Sequence, residues 1–110
     1  MLDPNHNANP ARKYYYLADG TFVDAWKHIP KETAIACWYY DVREKSLRHF
    51  SSLEFQTLGA GYYDADNLDN PQGWLEALDA TPGACGIMYT TWLDKYDLLG
   101  AFGDLVSRRN

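Results

Sequence analysis

Phe55-Gln56-Thr57-Leu58-Gly59-Ala60-Gly61-Tyr62-Tyr63 decides how the chain folds. Its centre is apolar, of strand length, and lacks the alternation of a half-solvated strand; strands buried on both faces look like this. Two further segments share the pattern, Thr33 to Tyr39 around Ala34-Ile35-Ala36-Cys37 and Ala84 to Thr90 around Cys85-Gly86-Ile87-Met88. Each ends in aromatics or a carboxylate and leads into an amphipathic helix. A parallel sheet follows, because parallel neighbours need helical crossovers between them.

The helices are marked by their stripes and starts. Asp41 with Glu44 resembles a capping box, and Asn70-Pro71 fits an N-cap with proline at N1. Leu47, Phe50 and Leu53 stripe the first helix, and Trp74, Leu75 and Leu78 the second. Leu98, Leu99, Phe102, Leu105 and Val106 form the strongest helical pattern, closed by Arg108 and Arg109 at the end that favours cations. A short helix is expected within Thr21 to His28, ended by Pro30, and Asp3 to Arg12 reads as a loop. The fold class is therefore α/β: a loop over 1–32, then βαβαβα over 33–108, in one partial domain spanning 1–110.

Three βα units leave a sheet with two open edges and little area to cover them. The expectation is a fragment of a larger (β/α)8 TIM barrel or doubly wound fold; the alternative is a small free-standing domain that dimerises through an edge. Composition agrees with a globular protein, 46% hydrophobic and 23% charged. The net charge of -5 repels phosphate backbones and anionic lipid, which argues against nucleic acid and membrane surfaces as partners. No apolar run approaches the roughly 20 residues of a membrane-spanning helix. Cys37 and Cys85 lie on strands two steps apart, about 9.5 Å, beyond the roughly 7 Å Cα limit for a disulfide. Both are expected to be small buried hydrophobes.

Ligands of α/β sheets bind beyond the carboxyl ends of the strands. Here those ends read Trp38-Tyr39-Tyr40-Asp41, Tyr62-Tyr63-Asp64-Ala65-Asp66 and Tyr89-Thr90-Thr91-Trp92-Leu93-Asp94. Aromatic faces stack on the C–H faces of pyranose rings and carboxylates accept from ring hydroxyls, so the mixture suits a neutral carbohydrate. Aromatics also fill cores. Packing is the stronger reading for Trp38 and Tyr62, whereas Tyr63 and Trp92 lie past their apolar runs and point at the strand mouth. Asp41 is explained as a helix cap and Asp66 as a turn residue. Asp64 either hydrogen-bonds a ligand or fixes its loop. Asp3 and His6, in Asp3-Pro4-Asn5-His6-Asn7, either bind sugar hydroxyls or form Asx-turns.

Other chemistries find no motif. His6, His28 and His49 lack metal-ligand spacing, Gly59-x-Gly61 lacks the third glycine of a dinucleotide loop, no P-loop is present, and neither cysteine has the setting of a nucleophile. No cofactor is expected.

Taken with Asp3-Pro4-Asn5-His6-Asn7-Ala8, the runs Trp38-Tyr39-Tyr40, Gly61-Tyr62-Tyr63-Asp64 and Gly86-Ile87-Met88-Tyr89-Thr90-Thr91-Trp92 resemble the late strands of family 20-like glycoside hydrolases, the β-N-acetylhexosaminidase type of (β/α)8 barrel. The likeness runs from Asp3 to about Val106, and its most specific pieces are the Tyr-Tyr-Asp and Met-Tyr-Thr-Thr-Trp strand ends. The resemblance implies that these are the final three βα units and that Trp38, Tyr63 and Trp92 line a terminal-sugar pocket. That type uses an adjacent Asp-Glu pair on an earlier strand as its catalytic machinery, and no Asp-Glu pair occurs here. The expectation is thus a substrate-binding part of a hydrolase, inactive alone, with the remainder of the barrel as its partner. Two other readings stay open: a stand-alone, non-catalytic carbohydrate-binding module, and a carboxylate pair of Asp41 and Asp64 acting within this chain.

Overall fold

A computed structural model describes residues 24–109. Three parallel strands, β1 (Ile35–Cys37), β2 (Thr57–Tyr62) and β3 (Ala84–Thr90), form one sheet in the order β1-β2-β3. Helix α1 (Arg43–Ser52) connects the first pair and α2 (Asp69–Asp79) the second; α3 (Leu99–Ser107) follows β3. The α/β class and the three βα units expected from the sequence are those of the structure. A 3-10 turn at Ala25–His28 precedes the sheet, and another at Tyr40–Val42 leads into α1.

Both crossover helices pack on the same face of the sheet. Leu47 and Phe50 of α1 share one buried cluster with Trp74, Ala77 and Leu78 of α2, and with Cys37 of β1 and Phe55. The glycines of β2 make this approach possible. A Cβ on Gly59 would stand 2.9 Å from Trp74 Cε3 and 3.2 Å from Leu78 Cδ1, so the indole lies directly on the strand backbone. The turn that leads into α1 meets α2 just as closely at Gly73, where a Cβ would collide with the Tyr40 hydroxyl and ring. Arg43 seals that contact. Its guanidinium lies 4.0 Å from the Tyr40 ring centroid, its Nε donates to Gly73 O at 3.1 Å, and its second donor group reaches Tyr40 O at 3.0 Å. Beyond α2 on the same face, Phe102 of α3 meets the Tyr89 ring of β3 edge-on at 5.2 Å, and Arg109, just past the end of α3, pairs with Asp79 of α2.

The expectation of strands buried on both faces holds only for β2. Ala60 and Gly61, on opposite faces, are both buried, whereas Ala36 of β1 and Cys85, Gly86 and Met88 of β3 are exposed. Ile87 and Tyr89 turn toward the helices, so alternation puts Met88 on the face opposite them. Cys85 is therefore not the buried hydrophobe its surroundings suggest; it sits at an irregularity between β2 and β3 where Thr57 pairs with Ala84 and Leu58 with Gly86, which leaves Cys85 without a register partner. Cys37 is buried, and both thiols are free.

Two cap assignments change. α1 begins at Arg43 without a side-chain cap, and Asp41 instead accepts a 3.2 Å hydrogen bond from the Tyr39 hydroxyl. α2 begins at Asp69, and Asn70 Oδ1 accepts from the backbone N–H of Tyr62 at 2.9 Å, which ties the helix start to the end of β2.

Candidate functional site

Because all three strands run the same way, their carboxyl ends form one rim. Trp38, Tyr63 and Trp92 follow β1, β2 and β3 respectively, so the topology brings all three to that end of the sheet. They do not lie level. Cys37 pairs with Gly59, so Trp38 continues at the height of Ala60, three residues short of Tyr63, roughly 10 Å along the strand at 3.3 Å per residue. Trp38 is half-buried and meets Tyr39 edge-on at 6.2 Å. Asp3 and His6 lie outside the described residues.

At the end of β2 the backbone turns sharply. Tyr62, Tyr63 and Asp64 have φ values of 85°, 55° and 64°, three successive non-glycine residues in the left-handed region. Each such residue costs roughly 1–2 kcal/mol, so the turn survives only where its surroundings over-determine it. They do. Tyr62 N–H donates to Asn70, Tyr63 N–H donates to Thr90 O at 3.2 Å, and the Tyr63 hydroxyl accepts from the Trp74 indole N–H at 3.2 Å. Tyr63 thereby links the rim to the core helix. The buried Tyr62 ring stacks on Tyr89 with centroids 4.3 Å apart.

The turn delivers the Asp64 carboxylate to the loop that follows β3. Oδ1 accepts from the Thr91 hydroxyl, and Oδ2 accepts from the backbone N–H groups of Trp92 at 2.7 Å and Leu93 at 3.2 Å. Thr91 Oγ1 in turn accepts from Lys95 N–H at 2.9 Å, and the Tyr89 hydroxyl donates to Lys95 O at 2.7 Å. The Lys95 ammonium closes the arrangement by reaching Asp64 O at 3.2 Å and the Asp66 carboxylate at 3.1 Å. Asp66, expected only to stabilise a turn, is thus half of an ion pair. Lys95 was not among the expected site residues; only a spacing of 29 residues relates it to Asp66, and no local pattern announces that.

Electrostatics follow from these bonds. Partial burial, the largest influence on the Asp64 carboxyl, pushes its pKa up, but the Thr91 hydroxyl and the amides of Trp92, Leu93 and Lys95 together hold it below the ordinary aspartate value. Such a group stays ionised at neutral pH and is poorly suited to donate a proton, so in a pair with Asp41 it could act only as the base or nucleophile. The hydrogen bond to Asp66 raises Lys95, against the opposing effect of burial. Burial, reinforced by Tyr62 and by the charges of Asp64 and Asp97, pushes the Tyr89 phenol well above its usual range, so it remains a donor to Lys95 O.

Above this bonded loop the side chains are open. Trp92 is 74% exposed and Leu93 75%, with Tyr96 at 56% beside them in sequence. Among the described residues no group of three or more His, Cys, Asp or Glu could hold a metal ion, and no helix is long and apolar enough to cross a membrane. A groove of about 430 Å³ between α1 and α2, lined by Arg43, Arg48, Glu44 and Glu76 among others, includes none of the rim residues. Comparison with models of known families, with curated proteins and with solved structures finds no match to this chain.

Proposed function

We propose that the chain is the substrate-binding, C-terminal part of a (β/α)8-barrel glycoside hydrolase that acts on N-acetylhexosamine-type or related glycans. The observation that carries the reading is Trp92: an indole 74% exposed at the carboxyl end of a parallel strand, on a backbone anchored to Asp64. Soluble proteins seldom leave a tryptophan so open on an ordered loop without a use for its face. A pyranose offers the matching surface. The rim also carries Asp64, Asp66 and Asp94 against one lysine, Lys95, which is paired with Asp66; the negative balance suits a neutral sugar better than a uronic or sulfated one.

A barrel origin is supported by the strand order. Successive parallel neighbours with their helices on one face repeat the arrangement of a barrel wall, whose inner face is covered by further strands. Since the sequence has no Asp-Glu pair, the proton donor of such an enzyme would come from elsewhere in the barrel.

Titration of the full protein with N-acetylglucosamine, followed by tryptophan fluorescence, tests the proposal. Saturable quenching that disappears in Trp92→Ala is expected, with glucuronic acid binding at least ten times more weakly. A flat titration in a folded protein, or quenching that survives Trp92→Ala, overturns it.

A further inference from the structure

The geometry points to Asp64 as a positioning residue that acts on the ligand through Trp92 and makes no sugar contact of its own; this rests on the carbohydrate reading above. An indole exposed to 74% receives little orientation from packing, so its direction must be set by the backbone that carries it. That backbone is bonded to one carboxylate. Three donors, the Thr91 hydroxyl and the N–H groups of Trp92 and Leu93, converge on the two oxygens of Asp64 across 27 to 29 residues of sequence. The same loop is closed behind Trp92 by Lys95 N–H on Thr91 Oγ1 and by the Tyr89 hydroxyl on Lys95 O. With these donors already seated, Asp64 has little acceptor capacity left for a ring hydroxyl. A loop held this way before the ligand arrives spares the ligand the cost of ordering it.

The left-handed turn fits the same role. Asp64 reaches across to β3's loop only because Tyr62, Tyr63 and Asp64 itself bend the chain out of the strand direction. The bend is locked on the core side by the Trp74 indole and Asn70, so the carboxylate is placed by the rigid part of the fold.

The test labels the full chain with 5-fluorotryptophan and follows the fluorine resonance of Trp92, assigned by its loss in Trp92→Phe. In Asp64→Ala the resonance is expected to shift and broaden while the Trp74 resonance stays in place, and affinity for N-acetylglucosamine is expected to fall about ten-fold, one ordered side chain's worth. Asp64→Asn, which keeps an acceptor for the two amides, should restore most of the sharp resonance and of the affinity. An unmoved Trp92 resonance in Asp64→Ala overturns the positioning role, and so does an affinity loss in Asp64→Asn as deep as in Asp64→Ala, since that pattern marks direct contact with the sugar. If wild-type protein instead leaves the Trp92 resonance untouched on adding the sugar, the proposed function fails and the coupling of Asp64 to Trp92 is judged by the variants alone.

Discussion

At the scale of single residues, Asp64 and Lys95 tie the loops after β2 and β3 together and respond to pH in opposite directions. Asp64 has a folded pKa below the ordinary 3.8, so its ionised form favours the folded state. Its contribution is present above that ordinary value and is lost as pH falls through the lowered folded pKa. Lys95 has a folded pKa above the ordinary 10.5, so its contribution is complete below that value and is lost as pH rises through the raised one. Urea unfolding followed from neutral pH into the acid range should therefore show stability declining, with a shallower decline in Asp64→Asn. Equal acid slopes in the two proteins would show that the carboxylate's bonds are not felt by the folded state. None of this was legible in the sequence, where Asp64 presented two equal possibilities; the donors that commit it to the loop lie on another strand's connection, beyond the reach of local pattern.

Elements were more readable than contacts. β3 and the cores of all three helices fall where apolar periodicity puts them, because burial against neighbours and the period of the chain impose one pattern. β1 is shorter than its apolar run, three residues paired with β2 alone, since its other edge finds no strand among the described residues. Asn70 makes a bond other than the cap that its position implies. Asn before Pro is a sound helix-start signal, and α2 does start there, but the amide oxygen serves the Tyr62 N–H of β2 instead of the helix's own first turn. Both uses satisfy a backbone donor, and spacing cannot tell a partner within three residues from one eight residues upstream. Asn70→Ala should leave the partly buried Tyr62 amide without its acceptor, at a cost of about 1–3 kcal/mol in denaturant unfolding. Hydrogen exchange separates this from a lost cap: the Tyr62 amide should exchange faster while the first amides of α2 keep their rates.

For the molecule as a whole, the decisive asymmetry is that helices cover one face of the sheet and leave exposed strand residues on the other. In a doubly wound sheet the strand order reverses and helices flank both faces; here the order runs straight and α1 and α2 share a side. The opposite face carries Ala36 and Leu58, level with Gly86, and then Ala60, itself buried, level with Met88, residues without charge or strong polarity. Met88 is 46% exposed in the described part. β3 itself, from Ala84 to Thr90, carries no charged residue or proline along the edge that pairs with no strand among the described residues, and those are the usual defences of a strand meant to face water. Met88→Lys distinguishes the possibilities in the full protein. A face open to solvent tolerates the lysine within about 0.5 kcal/mol. A barrel interior does not, because the ammonium would be buried without a partner; the expected loss is then about 3 kcal/mol or more, of the size found when a charge is left uncompensated in a protein interior. Denaturant midpoints of wild type and Met88→Lys measure the difference; the barrel proposed above predicts the larger loss, because its inner face would lie against further strands.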